Sequence, residues 1–300
     1  MTTVEIPEYR TDAFFGLQDK WLPTADGELT HYHEIGEGTP LLFLHGSGTG
    51  VTAAANWWLN LPHLARHGRC VAIDSVGYGQ TVVAPGTEYG IREWGRHALR
   101  VLDALGIDRT WIIGNSIGGW VALQLAIDAP ERILGIVSMG TGGAKRTAAL
   151  AGHAKPELSP AGIRRTLEQF VVDKELVTDQ LVDLRYRAAL NDSASSRLEE
   201  VVAARDRDRD ALPLDLGALA ELDIPLLLIH GMQDVVIPVS RTWELLHTIP
   251  HADAHLFSRC GHWSQVERAE EFNEVVGQYL RRHRSGHVRA SPSGRGAGPR

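Results

Sequence analysis

The 300-residue sequence has few cysteines and no long apolar segment. Its two cysteines, Cys70 and Cys260, are too few for a disulfide framework, and no C-x-x-C pair suggests a zinc or redox motif. No apolar run approaches the ~20 residues that a membrane-spanning helix needs. The first residues contain acids and no apolar core segment, so we expect no signal peptide and a cytoplasmic protein without a membrane partner.

The sequence also lacks an excess of positive charge. Lysine and arginine total 30 against 37 aspartate and glutamate residues, which gives a formal net charge of −7. This balance argues against binding to the phosphates of nucleic acids. Because 43% of the residues are hydrophobic, a large core can be buried, and the length fits one large α/β domain with an insertion or two small domains.

Two stretches that might suggest phosphate or metal binding lack the required spacing. The glycines that follow His45 fall at 46, 48 and 50, and neither G-x-x-x-x-G-K-[ST] nor G-x-G-x-x-G is present. His31 and His33 alternate on a predicted strand, but no carboxylate or third histidine is spaced to join them. We therefore predict no metal site.

The clearest chemical signal lies in residues 110–130, TWIIGNSIGGWVALQLAIDAP. A short buried strand runs into a glycine-rich turn around Ser116, and an alanine- and leucine-rich helix follows. This is the G-x-S-x-G pattern of a nucleophile elbow, in which a strained serine is exposed at the tip of a strand-to-helix turn. Gly114 and Gly118 would let strand and helix approach each other closely.

The rest of the chain alternates between buried strands and helices. Apolar runs at 41–44, 70–74, 133–139, 224–230 and 254–257 predict strands, and helices are predicted between them, including one over 57–64. This alternation predicts a mainly parallel sheet with helices on both faces. We assign residues 1–141 and 214–283 to this core domain, and expect residues 284–300 to form a disordered basic tail.

No strand-like run occurs in residues 142–213. Three amphipathic helical segments are predicted there, which indicates a helical cap inserted over the sheet edge. The third segment ends in the charge run RDRDRD at 205–210, which we predict to be a solvated helix face.

Three residues predict a catalytic triad. Ser116, Asp234 and His262 occur in the order Ser, Asp, His, each just after a predicted strand, as in the α/β-hydrolase fold. His262 would take the serine proton and Asp234 would orient the imidazole. The H-G-x-G loop predicts the second oxyanion donor at Ser47, with Gly48 next, and the first is the Ile117 N–H. A serine at the elbow argues against haloalkane dehalogenases and epoxide hydrolases, which need a carboxylate nucleophile.

Five segments carry a more specific resemblance: HGSGTGVTAAANWW, IGNSIGGW, LVTDQLVDLRYRAAL, HGMQDVVIP and RCGHWSQVERAEEFNEVV. Together they resemble the meta-cleavage product hydrolases, which cleave a carbon–carbon bond in 2-hydroxy-6-oxo-2,4-dienoates. Within that family the chain most resembles enzymes acting on 2-hydroxymuconate semialdehyde. The resemblance covers about residues 20–282.

The resemblance implies roles for residues outside the triad. Asn56 and Asn115 match polar residues that orient the dienoate, and Trp263 matches a wall of the site. Arg185 matches an arginine that binds the substrate carboxylate; the alternative is a pairing with an acid of the cap such as Asp183. The resemblance also implies a small-molecule carboxylate substrate, no cofactor or metal, and a homodimer or higher homo-oligomer. Arg187 is expected on the surface.

The sequence departs from the usual family pattern at Thr49, at Ile117 and at the Val171-Val172 pair. These residues are expected to line or adjoin the pocket, so the identity of the 6-substituent of the substrate stays open. Two other functions also stay open. One is a carboxylesterase or lactonase with the same triad, and the other is a catalytically weak biosynthetic or ligand-binding protein. Asn56, Asn115 and Arg185 favour the dienoate, because a simple esterase needs no carboxylate clamp.

Overall fold

The computed structural model describes residues 15–143, 157–194 and 197–284. Within these ranges, eight strands form one sheet. The strands are β1 (Lys20–Ala25), β2 (Glu28–Ile35), β3 (Pro40–Leu44), β4 (Arg69–Ile73), β5 (Thr110–Asn115), β6 (Ile133–Met139), β7 (Leu226–Gly231) and β8 (Ala252–Phe257). Strands β3 to β8 run parallel to one another, while β1 and β2 form an antiparallel hairpin at one edge, where β2 pairs antiparallel with β4.

Helices connect the strands. They are α1 (Ala53–Trp57), α2 (Leu61–Leu64), α3 (Ile91–Ala104), α4 (Ile117–Asp128), α5 (Pro160–Glu168), α6 (Asp179–Ala194), α7 (Arg197–Ala211), α8 (Leu216–Glu221), α9 (Ser240–Thr248), α10 (Ser264–Glu267) and α11 (Ala269–Arg284). None of the described helices is both long enough and apolar enough to cross a membrane.

The sheet order is β1-β2-β4-β3-β5-β6-β7-β8, so β5 lies near the middle and β7 and β8 lie together at one edge. Side chains of α3, α4 and α9 pack on one face of the sheet, and those of α1, α2 and α11 pack on the other. The predicted mostly parallel sheet with helices on both faces is therefore confirmed. Ligands of such sheets bind at the carboxyl ends of the strands, which is where β5, β7 and β8 deliver the predicted triad.

The single helix predicted over 57–64 is wrong, because the chain forms α1 and α2 with a break between them. Pro62 lies in the first turn of α2, where its missing N–H is not needed. In one continuous helix that N–H would have to donate to the Trp58 carbonyl. The side chain of Asn60, at the break, instead bonds to Gln265 and Asn273.

The described segments between β6 and the helix α8 hold α5, α6 and α7 and a short 3-10 turn, with no strand among them. This agrees with a helical insertion, while the division at residues 142 and 213 stays a prediction. The predicted tail lies outside the described residues, apart from Arg284 at the end of α11.

The charge run in α7 is not the solvated face that we predicted. The Asp208 carboxylate accepts a 2.7 Å hydrogen bond from the Ile91 N–H at the start of α3. Arg205 and Arg209 keep only 11% and 10% of their side chains exposed, whereas Arg207 keeps 61%. The run is therefore docked on the core along one side of the helix.

Candidate active site

The elbow at the end of β5 has the predicted strain. Ser116 adopts φ 54° and ψ −111°, a left-handed conformation that is rare for residues other than glycine. A Cβ on Gly114 would lie 2.5 Å from the Gly118 carbonyl carbon, and a Cβ on Gly118 would lie 2.2 Å from the Leu44 oxygen. Only glycine fits at these two positions, so strand and helix close tightly around the serine.

Asp234 is held in place by four hydrogen-bond contacts after β7. One carboxylate oxygen accepts from the Val236 and Ile237 N–H groups at 2.8 Å each. The other lies 2.7 Å from His262 Nδ1 and 3.2 Å from His230 Nε2. Burial opposes the charged form, but His262 and His230 hold the pKa of the carboxyl well below its usual range. Asp234 is therefore a fixed anion.

His262 follows β8 and is buried. Because its Nδ1–H donates to Asp234, the basic nitrogen of the neutral ring is Nε2. Gly140, at the end of β6, closes against this pair, since a Cβ there would lie 2.9 Å from His262 Nδ1. The ring is thus clamped between the carboxylate and the backbone.

Ser116 and His262 line one cavity between the sheet and the helical insertion. Ser47, Gly48 and Thr49 form part of its wall. Ile117 is the first residue of α4, where an N–H has no partner within the helix. The predicted oxyanion donors Ser47, Gly48 and Ile117 therefore lie beside the nucleophile or on the same cavity wall, and their roles stay a prediction.

His45 shapes the loop that carries Ser47, a role that the sequence did not reveal. Its Nε2 accepts a hydrogen bond from the Ser75 N–H at 3.0 Å, and its Nδ1–H donates to the Gly46 carbonyl at 2.6 Å. Burial lowers the pKa of His45, which keeps the ring neutral for this pairing. The H-G-x-G signature thus includes a histidine that fixes the glycine backbone.

The four predicted substrate residues are all buried, and two of them, Asn115 and Arg185, lie beside the loop that carries Ser47. A Cβ on Gly46 would lie 2.8 Å from Asn115 Oδ1, and one on Gly48 would lie 3.3 Å from Arg185 Nη2. The Arg185 guanidinium lies 5.6 Å from the centre of the Trp263 ring. The amide atoms of Asn56 and Asn115 have no hydrogen-bond partner within the described residues.

Buried amides of this kind point to a polar ligand, because burial without a partner costs free energy. The alternative partner considered for Arg185, Asp183, has another arginine beside it. Asp183 pairs with Arg187 at 2.9 Å, and Arg187 is exposed as predicted. Arg185 is 1% exposed and lies on the inner side of α6.

Phe170 is a wall residue that the sequence did not single out. Its ring centre lies 5.6 Å from the His262 ring and 5.2 Å from the Trp263 ring, and its carbonyl accepts from the Trp263 N–H at 2.9 Å. Thr49 lines the cavity, as expected of this departure from the family pattern. The expectation for Val172 is wrong, because its side chain is 44% exposed. The hydrogen bond to Trp263 orients the loop so that Phe170 faces the cavity.

A buried cluster lies apart from this cavity at the β1–β2 hairpin. Asp19 does join His31 and His33, contrary to the expectation from spacing, and one ligand atom of each lies within 4.8 Å of the others. Both nitrogens of His31 already bond to carboxylates, to Asp74 at 2.7 Å and to Asp19 at 3.0 Å. Because both ring nitrogens of His31 are already engaged, we interpret the group as a buried ion cluster and not as a metal site.

Sequence and structure comparisons agree with this geometry. The family model described as alpha/beta hydrolase fold matches residues 39–269. A 2-hydroxymuconate semialdehyde hydrolase from Pseudomonas sp. (strain CF600) is 39% identical over 259 residues, which cover 85% of this chain and 92% of that protein. The chain belongs to the meta-cleavage product hydrolases of the α/β-hydrolase fold.

Two further members of this family support the assignment. A 2-hydroxy-6-oxo-2,4-heptadienoate hydrolase from Pseudomonas putida F1 is 37% identical, covering 85% of this chain and 94% of that protein. A solved meta-cleavage product hydrolase from Pseudomonas fluorescens IP01 superposes with a TM-score of 0.83 at 36% identity, covering 89% of this chain and 98% of that chain.

Proposed function

We propose that this chain is a serine-dependent hydrolase that cleaves the C5–C6 bond of a 2-hydroxy-6-oxo-2,4-dienoate. The products are 2-hydroxypenta-2,4-dienoate and a carboxylic acid. The observation that carries the proposal is the placement of the strained Ser116 and the Asp234-bound His262 on one cavity. Family membership supplies the substrate class, since the two relatives described above are named for dienoates with hydrogen or methyl at C6.

The reaction begins with ketonisation of the dienol, which places a proton on C5 and an oxo group on C2. Ser116, deprotonated by His262 Nε2, then attacks the C6 carbonyl, and the Ser47 and Ile117 N–H groups hold the oxyanion. As the C5–C6 bond breaks, its electron pair passes through C3=C4 to the C2 oxygen. Arg185 would bind the C1 carboxylate and stabilise this charge. Water releases the acid, and no metal or cofactor takes part.

Buried polar groups distinguish this function from esterase or lactonase activity. Asn56, Asn115 and Arg185 are buried, and the last two lie beside the loop that carries Ser47, yet none of the three is needed to hydrolyse a simple ester. A substrate with a carboxylate and an adjacent oxo group would offer hydrogen-bond acceptors to all three. The ester reaction would use the same triad and oxyanion donors, so an activity measurement on both substrates separates the two functions.

The test follows 2-hydroxymuconate semialdehyde and p-nitrophenyl acetate by absorbance with wild-type protein and two variants. Ser116→Ala should lose at least about a thousandfold in turnover of both substrates. Arg185→Gln should lose at least about tenfold on the dienoate and much less on the ester. Ser258→Ala, at an exposed serine, is the control. Ester hydrolysis with an untouched dienoate would contradict the proposal.

We further propose that the enzyme is cytoplasmic and acts as a homodimer or higher homo-oligomer. Cys70 and Cys260 are buried free thiols, as expected in a reducing compartment. The oligomeric part of this proposal rests on the family resemblance. Light scattering during size-exclusion chromatography would test it, and a monomer of 32.9 kDa would contradict it.

A further inference from the structure

One face of α7 forms part of the wall of the catalytic cavity. Leu198, Val201, Val202 and Arg205 all line it, and their spacing of three, four and seven residues places them on one side of the helix. Three of these residues are apolar and one carries a full charge. Arg205 thus shares the cavity with Ser116 and His262.

The Arg205 side chain is largely buried and is held by hydrogen bonds to its neighbour on α7. Its Nε and Nη2 donate to Asp206 Oδ1 at 3.2 and 3.1 Å, and its side chain is 11% exposed. The same carboxylate oxygen accepts from Arg209 Nη1 at 2.8 Å. The carboxylate of Asp206 is therefore shared between the guanidinium groups of Arg205 and Arg209.

A cation held at a cavity wall attracts an anionic ligand, because the surrounding protein screens charge less than water does. The carboxylate at C1 already has a proposed partner in Arg185, which lies on another helix, against Gly48. Arg205 adds a second cation from α7. Two arginines suit a substrate with two anionic groups better than one with a single carboxylate.

We propose that Arg205 recognises an anionic group at the end of the 6-substituent, so that the preferred substrates are 2-hydroxy-6-oxo-2,4-dienoates ending in a second carboxylate. This assignment rests on the proposed function, since it names the substrate class of the same site. Leu198, Val201 and Val202 then contact the methylene groups that join the C6 carbonyl to that carboxylate.

The test compares two substrates that differ in this charge alone. They are 2-hydroxy-6-oxonona-2,4-dienedioate and its singly charged counterpart 2-hydroxy-6-oxonona-2,4-dienoate, in which a methyl group replaces the second carboxylate. Wild-type protein should favour the dienedioate by at least about tenfold in kcat/KM. Arg205→Gln should lose this preference, mainly through a higher KM for the dienedioate, while kcat/KM for the singly charged substrate changes less than about threefold.

Two further variants sharpen the result. Arg205→Lys keeps a charge without the planar fork and should retain part of the preference. Arg207→Gln removes an exposed arginine of the same helix and should leave the preference intact. A second measurement needs only wild-type protein: succinate, the acid released from the dienedioate, should inhibit at a concentration at least about tenfold below that of butyrate.

The outcomes separate this assignment from the proposed function. Three results would show that Arg205 has no role in recognition: hydrolysis of both dienoates without preference, equal slowing of both by Arg205→Gln, or equal inhibition by succinate and butyrate. Any of them would contradict this assignment and leave the proposed function intact. If neither dienoate is hydrolysed while p-nitrophenyl acetate is, the proposed function is wrong and this assignment falls with it.

Discussion

At the scale of single residues, buried histidines in this protein have their tautomers or charges set by the groups around them. His262 and His230 both face the Asp234 carboxylate, and His230 Nδ1 lies 2.7 Å from the Thr242 hydroxyl. His31 bonds to two carboxylates, which is a different arrangement from the neutral ring of His45. The same residue type therefore provides the proposed base, His262, a neutral ring that fixes a loop, His45, and a buried cation, His31.

The buried cation predicts a pH-dependent stability. Burial alone would lower the pKa of His31, but Asp74 and Asp19 outweigh it and raise the pKa to about 9, and His33 also faces the ring. The unfolded chain titrates near ~6.5. Between these values the native state binds a proton that the unfolded state lacks, so the free energy of unfolding should fall as pH rises, by up to about 3 kcal/mol.

Urea unfolding of wild type and His31→Asn at several pH values between 6 and 10 checks this. The wild type should lose stability across the window, while the variant should be less stable at pH 6 and show a flatter profile. His251→Asn, at an exposed histidine, should follow the wild type. Parallel profiles for wild type and His31→Asn would show that His31 is neutral in the native state.

The triad could be predicted at this scale because glycine spacing and strand ends are local signals. The cluster around His31 could not, since Asp19 and Asp74 lie on separate segments that only the sheet order brings together. Nor did the sequence show that Phe170 rather than Val172 faces the cavity. That choice depends on a hydrogen bond to Trp263 in a distant loop.

At the scale of elements, the short helix α10 ties the histidine loop to the helical insertion. Glu267 Oε1 accepts from the Val172 and Asp173 N–H groups at 2.7 Å each, and its Oε2 accepts from the Gly261 N–H at 2.6 Å. One carboxylate thus joins the residue before His262 to the segment after Phe170. The contact fixes where the Phe170 ring meets the imidazole.

Removing this carboxylate should slow the chemistry as well as lower stability. In Glu267→Ala three backbone donors lose a charged acceptor, and the histidine loop can shift relative to Ser116. We expect kcat to fall at least about tenfold on both dienoate and ester, because small displacements of catalytic groups are costly. Glu270→Ala, at an exposed acid on α11, should change neither kcat nor the melting temperature by much. A lower melting temperature with unchanged kcat would show that Glu267 stabilises the fold but does not position the catalytic groups.

Element boundaries were mostly predictable from apolar periodicity and turn residues, but the orientation of α7 was not. Arginine and aspartate alternate at 205–210, so every side of the helix carries charged residues there. The pattern therefore does not show which side packs on the core and which faces solvent. The side that docks is chosen by particular contacts, such as Asp208 with the start of α3. Which arginine faces the cavity thus depends on packing between distant segments.

At the scale of the whole molecule, the site is closed by a close approach of the insertion to the sheet edge. Gly50 adopts φ +66°, and a Cβ there would lie 1.8 Å from the Arg185 carbonyl oxygen and 2.9 Å from the Ala189 nitrogen. The loop after β3 therefore touches the backbone of α6 directly. This contact sets how far Arg185 lies from the loop that carries Ser47.

A methyl group at this contact should force the two parts of the molecule apart. Gly50→Ala should lose at least about 2 kcal/mol more stability than Gly86→Ala and should show a raised KM for the dienoate. Gly86 has a similar φ of +80° with open space around its Cβ position, so it carries only the backbone strain of about 1–2 kcal/mol. Equal effects of the two substitutions on unfolding and on KM would contradict a tight contact at Gly50.

The central claim is carbon–carbon cleavage at Ser116, and product identification tests it most directly. Wild-type protein with 2-hydroxymuconate semialdehyde should yield formate and 2-hydroxypenta-2,4-dienoate in equal amounts by NMR, with no such products from Ser116→Ala. One molecule of water is consumed for each C5–C6 bond broken, which accounts for both products. Disappearance of the semialdehyde without formate, or equal yields from Ser116→Ala, would contradict the account.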